Sequence, residues 1–251
     1  LTGKDVSLVS AIPGTTRDVI EGFFAFKGRS FRILDTAGIR RKNRVNQDVE
    51  YYSVHRAFKA VEEADVVYLL VDASEEVSDQ DKKIAEQVVK RGKGIIIVLN
   101  KWDVRLASND AMEKPFSKED VFKAVRDRVR FVFPVLKFAP IVPISALEQT
   151  GLDKLINITL TVYGQLNRSL DTSKLNSMMG KWLMDYTPPR DRAAQFKPRY
   201  ITQTGTNPVK FLLFVNRVKG FPEGWVQYLK NKLRKDAGLD SIPFSIDLKQ
   251  S

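Results

Sequence analysis

Three short segments carry side chains whose types and spacing suit phosphate and purine recognition. Asp35-Thr36-Ala37-Gly38 places a carboxylate three residues before a glycine. A carboxylate there can hold Mg²⁺ through water, and a residue without Cβ lets a backbone N–H approach a terminal phosphate. Asn100-Lys101-Trp102-Asp103 supplies a second carboxylate. Guanine presents two donors on one edge, its ring N–H and exocyclic amine, and the two oxygens of Asp103 can accept both. Adenine has no such pair, so against it Asp103 would stand desolvated and unpaired. Asn100 would tie neighbouring loops together, and the Lys101 stem would cover the base. In Ser145-Ala146-Leu147 a small residue would let a backbone N–H meet the guanine oxygen. Alone, D-x-x-G is common by chance, N-K-x-D also reads as a solvated turn, and Ser-Ala-Leu carries no information. Their order, with 65 positions from Asp35 to Asn100 and 42 from Asp103 to Ser145, leaves room for intervening helices and favours one shared site.

Each segment directly follows an apolar run: Phe31–Leu34 before Asp35, Ile95–Leu99 before Asn100, and Ile141–Ile144 before Ser145, with Val66–Val71 as a fourth run. Continuous apolar runs of this length read as buried parallel strands. Polar stretches with helical spacing, 79–91 and 118–132, separate them. The fold class is therefore α/β, a doubly wound sheet with helices on both faces, and ligands bind such sheets beyond the carboxyl ends of the strands. A helix from Gly151 to about Leu170, with Leu152, Leu155, Ile156, Leu160 and Tyr163 on one face, would close a first unit of residues 1–170. Ser169–Ser173 reads as a linker.

A second unit, residues 171–251, reads as a small α+β domain. Its expected order is a helix near Leu175–Met184, a Pro/Arg-rich loop at Thr187–Lys197, strands near Tyr200–Gln203 and Phe211–Asn216, a helix from Pro222 to about Asp236, and a strand near Phe244–Leu248. Proline in the first turn and Gly238 beyond the end delimit that last helix. Trp182 and Trp225 are expected in the core.

Composition sets the outer limits. With 43% hydrophobic residues in 251, and a mean hydropathy of −0.25, the chain can fill two cores. No run of 18 apolar residues occurs, and Leu1-Thr2-Gly3-Lys4-Asp5 lacks the order of a signal peptide, so no membrane is expected. Zero cysteines exclude disulfides and thiolate metal sites, and the single histidine, His55, is too few for a zinc site. A reducing cytoplasm fits. The net charge of +11 is uneven: residues 171–251 hold 14 Lys/Arg against 7 Asp/Glu, the remainder 27 against 23. Such a bias favours a polyanionic partner, because each neutralised phosphate releases condensed counterions. A solubilising lysine surface is the alternative.

The segment Ala11-Ile12-Pro13-Gly14-Thr15-Thr16-Arg17-Asp18 resembles the switch I motif of the Der family, also called EngA. These are bacterial ribosome-assembly GTPases with two tandem G domains followed by a KH-like domain. Further matches are Asp35-Thr36-Ala37-Gly38-Ile39-Arg40-Arg41-Lys42, Asn100-Lys101-Trp102-Asp103, Thr204-Gly205-Thr206-Asn207-Pro208 and Phe211-Leu212-Leu213-Phe214-Val215-Asn216. The resemblance covers essentially the whole chain and corresponds to the second G domain plus the KH-like domain. It implies a Ras-like fold, GTP and GDP as ligands, Mg²⁺ held by Thr16 and Asp35, and Gly38 sensing the γ-phosphate. Thr36, Ala37 and Ile39 would line the phosphates, and Asn100, Lys101, Asp103, Ser145 and Ala146 the base. Loss of the γ-phosphate would release both switches. Where Ras-like enzymes place a water-orienting glutamine this chain has Ile39, and related GTPases with an apolar residue there use K⁺ beside the phosphates. The implied partners are the large ribosomal subunit and its RNA, with intramolecular contact between G and KH-like domains; no membrane or DNA partner is implied.

Two departures qualify the resemblance. No G-x-x-x-x-G-K-[ST] occurs in the sequence, although in the family that loop lies just upstream of the residues matching Leu1-Thr2-Gly3. These residues by themselves are therefore expected to lack the first strand and phosphate loop, to bind nucleotide poorly and to hydrolyse almost none, with the natural protein continuing upstream. No two of the 14 glycines stand three positions apart, so the backbone clamp of RNA-binding KH domains is missing and base-by-base reading of RNA is disfavoured. Lys197, Arg199, Lys210, Arg217, Lys230, Lys232, Arg234 and Lys235 could still touch RNA phosphates or form a solvated face. The basic run Arg40–Arg44 could meet RNA or a neighbouring domain, and His55 reads as a packed or surface residue. Two functions follow: a GTP-hydrolysing switch in large-subunit assembly, or a nucleotide-independent RNA- or protein-binding module in which the G fold is only a scaffold.

Overall fold

The computed structural model describes residues 20–35, 58–75, 77–190 and 195–251. The described chain opens with an antiparallel hairpin, β1 (Ile20–Phe26) and β2 (Arg29–Asp35), turned by Lys27 and Gly28 at φ of 49° and 72°. Positive φ at both central residues gives the twist that a two-residue hairpin turn needs. This corrects the reading of 31–34 as a parallel strand of the main sheet: among the described residues β2 pairs with β1 alone. Phe24 and Phe31 stack at 4.7 Å between centroids, while Phe23 is 68% exposed. A short apolar run fits either strand type, and pairing decides which is formed.

After a helix whose described part is 58–63 (α1), β3 (Val66–Asp72), β4 (Gly94–Asn100) and β5 (Ile141–Pro143) form a parallel sheet in that order. The connecting helices are α2 (Asp79–Lys90), α3 (Trp102–Asp110) and α4 (Lys118–Val132), and α5 (Leu152–Leu166) follows β5. Ser78 starts α2 with a reciprocal cap: its hydroxyl accepts from Asp81 N–H and the Asp81 carboxylate accepts from Ser78 N–H. Ser117 caps α4 in the same position. The β-branched run of β4 sits at the centre, buried on both faces. Ile95, Ile97 and Leu99 meet Ala85 and Val88 of α2 and Val125 and Val129 of α4, whereas Ile96 and Val98 meet Leu155, Val162 and Leu166 of α5. Helices thus cover both faces, as a doubly wound sheet requires, and each buried isoleucine contributes about 1.5–3 kcal/mol. Tyr163 is the exception to the predicted inner face of α5, being 37% exposed.

The second unit runs α6 (Thr172–Asp185), β6 (Pro198–Gly205), β7 (Val209–Val215), α7 (Glu223–Asp236) and β8 (Phe244–Gln250). The sheet order is β6-β7-β8, the first pair antiparallel and the second parallel. Trp182 and Trp225 lie in the core, and each indole N–H finds an acceptor, Asp236 Oδ2 at 2.7 Å and Tyr186 O at 2.9 Å. Asn176 of α6 bonds both the N–H and the C=O of Ile201, which covers the outer edge of β6.

The two units share one core. A contiguous set of buried residues runs from Ile96 and Val98 through Leu166 to Trp182, Phe211, Trp225 and Leu233. Polar contacts frame it: Gln165 Nε2 donates to Asp240 Oδ1 at 2.6 Å, and Arg168 Nη1 donates to Ala237 O at 3.0 Å. The turn 205–208 seats against the first unit, with Asn207 N–H on Leu166 O and Asn207 Nδ2 on Asp65 Oδ1. Gly92, at φ 67°, makes room for it, since a Cβ there would fall 2.4 Å from Pro208 Cβ. The expected linker shrinks accordingly, because α6 already begins at Thr172. No helix of the described residues is long and apolar enough to cross a membrane.

Candidate functional site

The carboxyl ends of β4 and β5 bring two of the three motif segments together. Ile144 N–H donates to Leu99 O at 2.8 Å and Trp102 N–H to Ile144 O at 3.0 Å, so the chain leaving each strand is tied to the other. Asn100 Oδ1 accepts from Ala146 N–H at 3.1 Å, a side-chain bridge between loops 46 positions apart. Lys101 then turns the backbone into α3 with φ of 59°, which places Trp102 and Asp103 in the first helical turn. Trp102 packs edge-on to Phe122 of α4, with centroids 6.0 Å apart.

The Ser145 loop closes on itself. Ser145 and Thr150 exchange backbone hydrogen bonds of 3.2 and 3.1 Å, and the buried Ser145 hydroxyl accepts from Glu148 N–H. Gly151 ends this loop at φ 78°, where a Cβ would stand 2.5 Å from Pro143 O, so glycine is required. The loop pushes Leu147 outward, 86% exposed.

Between these loops lies a cleft of about 260 Å³ lined by Asn100, Lys101, Asp103, Val104, Ala146 and Leu147. Asp103, one of the lining residues, has a buried Oδ1 with no hydrogen-bond partner among the described residues. A buried carboxylate oxygen without a donor is an unfavourable state, relieved by a ligand that brings N–H groups. Sequence reasoning missed Asp72, which ends β3: its side chain is 7% exposed, pairs with Lys101 Nζ at 2.6 Å and accepts from Ser74 N–H at 2.9 Å. A carboxylate at the tip of an apolar strand was the available signal. Its partner stands 29 positions away in sequence, and β3–β4 pairing brings the two together.

The phosphate side stands differently. Thr16, Thr36, Ala37, Gly38 and Ile39 lie outside the described residues, as do His55 and Arg40–Arg44, and of Asp35 only the backbone at the end of β2 is described. Among the described residues no three His, Asp or Glu side chains gather where they could hold a metal ion.

The basic residues of the second unit divide as well. Arg234, named as a phosphate contact, turns inward: it donates to Leu239 O and Ile242 O and lies over the rings of Phe138 and Phe244 at 4.7 and 4.8 Å. Burial pulls its guanidinium below the ordinary value, and it serves the joint between the units. Lys232 is engaged by Asp185 at 2.6 Å, whose hydrogen bond raises the lysine above its ordinary value. Arg217 stacks on Phe196 at 4.4 Å.

Both units resemble known proteins. Residues 1–101 match the family described as 50S ribosome-binding GTPase, and residues 170–249 match the KH-domain-like C-terminal domain of EngA bacterial GTPase enzymes. A curated relative from Borrelia garinii subsp. bavariensis called GTPase Der is 46% identical over 250 residues, 100% of this chain and 54% of that protein. One of the same name from Treponema pallidum subsp. pallidum is 39% identical over 251 residues, covering 52% of its length. The chain spans about half the length of the curated relatives it matches.

Proposed function

The chain belongs to the Der family of GTPases, and from that premise we propose that the full-length protein binds and hydrolyses GTP as a switch in assembly of the large ribosomal subunit. The observation that carries the nucleotide half of this reading is the buried, unpartnered carboxylate oxygen of Asp103, a residue that lines the cleft between Asn100 and Ala146. Asp103 accepts the two donors of guanine, the Ser145–Ala146 turn, tied to Asn100 through Ala146 N–H, lines the base, and Lys101, held by Asp72, covers the ring. In this reading Thr16 and Asp35 would hold Mg²⁺, Gly38 would meet the γ-phosphate with Thr36, Ala37 and Ile39 beside it, and K⁺ beside the phosphates would add positive charge where Ile39 cannot orient water. The functional boundary between G and KH-like domains falls at residues 170 and 171, and the site of action is the cytoplasm. Support for the ribosomal half is the 50S-binding family description and the basic second unit.

The test is nucleotide competition in the full-length protein with Asp103→Asn. The amide donates to the carbonyl that xanthine carries where guanine has its amine, so GDP should lose ground and XDP gain it by more than roughly tenfold, about 1.4 kcal/mol. Unchanged competition would remove the base from this cleft. Ribosomal subunits bound with equal salt sensitivity in the presence of GTP, GDP or no nucleotide would sink the switch and leave the scaffold module standing.

A further inference from the structure

The second unit has no G-x-x-G with which to clamp a nucleic-acid backbone. Its sheet offers another surface. One face carries Ile201, Phe211, Leu213 and Val215, fully buried in the shared core. Strand alternation and register put a second set on the opposite face: Tyr200, Phe214 and Lys249 in one row across β6, β7 and β8, then Thr202, Leu212 and Asp247, then Lys210 beside Ser245. Tyr200 is 43% exposed, both lysines are exposed, and Phe214 and Leu212 are half-buried. The rings of Tyr200 and Phe214 lie 5.7 Å apart, their planes inclined by 60°, and Lys249 Nζ stands 5.8 Å from the Phe214 ring. A sheet face turned to water ordinarily carries polar side chains. Here two aromatic rings and a leucine occupy its middle.

We propose that this face is a stacking platform for single-stranded RNA, with bases lying on Tyr200 and Phe214 and the strand's phosphates beside Lys210 and Lys249. Charge selects the occupant: Lys210, Lys249 and Arg199 at the β6 bulge flank the rings against one carboxylate, Asp247, in a unit with 14 Lys/Arg and 7 Asp/Glu. A single strand satisfies both features at once, because its exposed bases stack on aromatic faces while its phosphates meet the cations. A duplex hides its bases and satisfies only the second. Stacking tolerates any sequence, since every base has a π face, and so dispenses with the missing clamp. The proposal deepens the ribosomal-RNA part of the reading above without resting on guanine binding.

The experiment is fluorescence anisotropy of the chain, free of nucleotide and at about 50 mM salt, with a labelled mixed-sequence single-stranded RNA of about 12 nucleotides. An abasic strand of equal length and an RNA duplex serve as competitors. The base-bearing strand should bind best, Tyr200→Ala should weaken it roughly five- to hundredfold, and Tyr200→Phe should keep it. Lys249→Ala should lower the slope of log affinity against log salt by about 0.7. Tyr200 points outward, so both of its variants should retain the parent melting transition; Phe214→Leu adds a variant that keeps bulk and loses the ring. Equal affinity for the abasic strand, unchanged binding by Tyr200→Ala, or no binding of the single strand would each overturn the proposal. So would Tyr200→Ala releasing a ribosomal protein while RNA affinity holds, since the face would then belong to a protein. None of these outcomes touches the GDP and XDP competition, so the two readings fail separately.

Discussion

The central strands of the two three-stranded sheets follow opposite designs. In β4 every residue from Gly94 to Leu99 is buried, and its side chains feed a core on each side. In β7 burial alternates, with Val209, Phe211, Leu213 and Val215 inside and Lys210, Leu212 and Phe214 turned outward. A strand covered on both faces has no surface to offer, so chemistry moves to the loops at its carboxyl end, where Asn100 and Asp103 stand. A strand covered on one face keeps the other for contact. The first sheet is therefore a mount for loops and the second a surface in its own right.

Stability should register this contrast most strongly. Ile97→Ala in β4 should lose about 2–5 kcal/mol in chemical denaturation, and Leu212→Ala on the outer face of β7 less than about 1 kcal/mol. Equal losses would mean that the outer face is covered after all. The seam between the sheets comes next. Gly92→Ala forces a side chain into positive φ and against Pro208, and should lose of the order of 1–3 kcal/mol. Gly28→Ala meets nothing within 4 Å, so it reports strain alone and should lose less. If the two match, the 205–208 turn contributes nothing to the seam. Asp103→Asn should leave the melting temperature near the parent value while reversing GDP and XDP preference, which separates loop chemistry from sheet stability.

The smallest effect concerns acid. The hydrogen bond from Gln165, ahead of that from Ser241, holds the Asp240 carboxyl below its ordinary value of 3.8, although burial opposes it. A carboxyl with a lowered folded-state value stabilises the fold above 3.8 and loses that contribution as pH falls through the lowered value. Melting temperature followed from about pH 5 down to 2 should therefore drop less in Asp240→Asn than in the parent. Parallel curves would show that the Gln165 contact carries no pH dependence.

Much of this was legible in the residues. The β-branched run at 95–99 reads as a buried strand, and the N-K-x-D and Ser-Ala spacing put both loops at one end of it. Pro222 and Gly238 marked α7 to within a residue. What stayed hidden depends on contacts between distant positions. The β1–β2 hairpin has Lys27-Gly28 in place of the Asn-Gly or Asp-Gly that announces such turns. Asp72 meets Lys101 only once two strands pair, and α3 begins inside the N-K-x-D motif, at Trp102. Arg234 looked like its basic neighbours because a sequence gives a charge but not a direction, and the carbonyls of Leu239 and Ile242 decide where it points.

The core that joins the two units has a thermodynamic consequence. Leu166 is fully buried among residues of both, and Gln165, Arg168 and Asn207 tie α5 to the loops of the second unit. Neither half can loosen without exposing apolar surface on the other, so the chain should melt in a single calorimetric transition, its enthalpy matching the van't Hoff value. A force applied to α7 would reach β4 without passing through any slack segment.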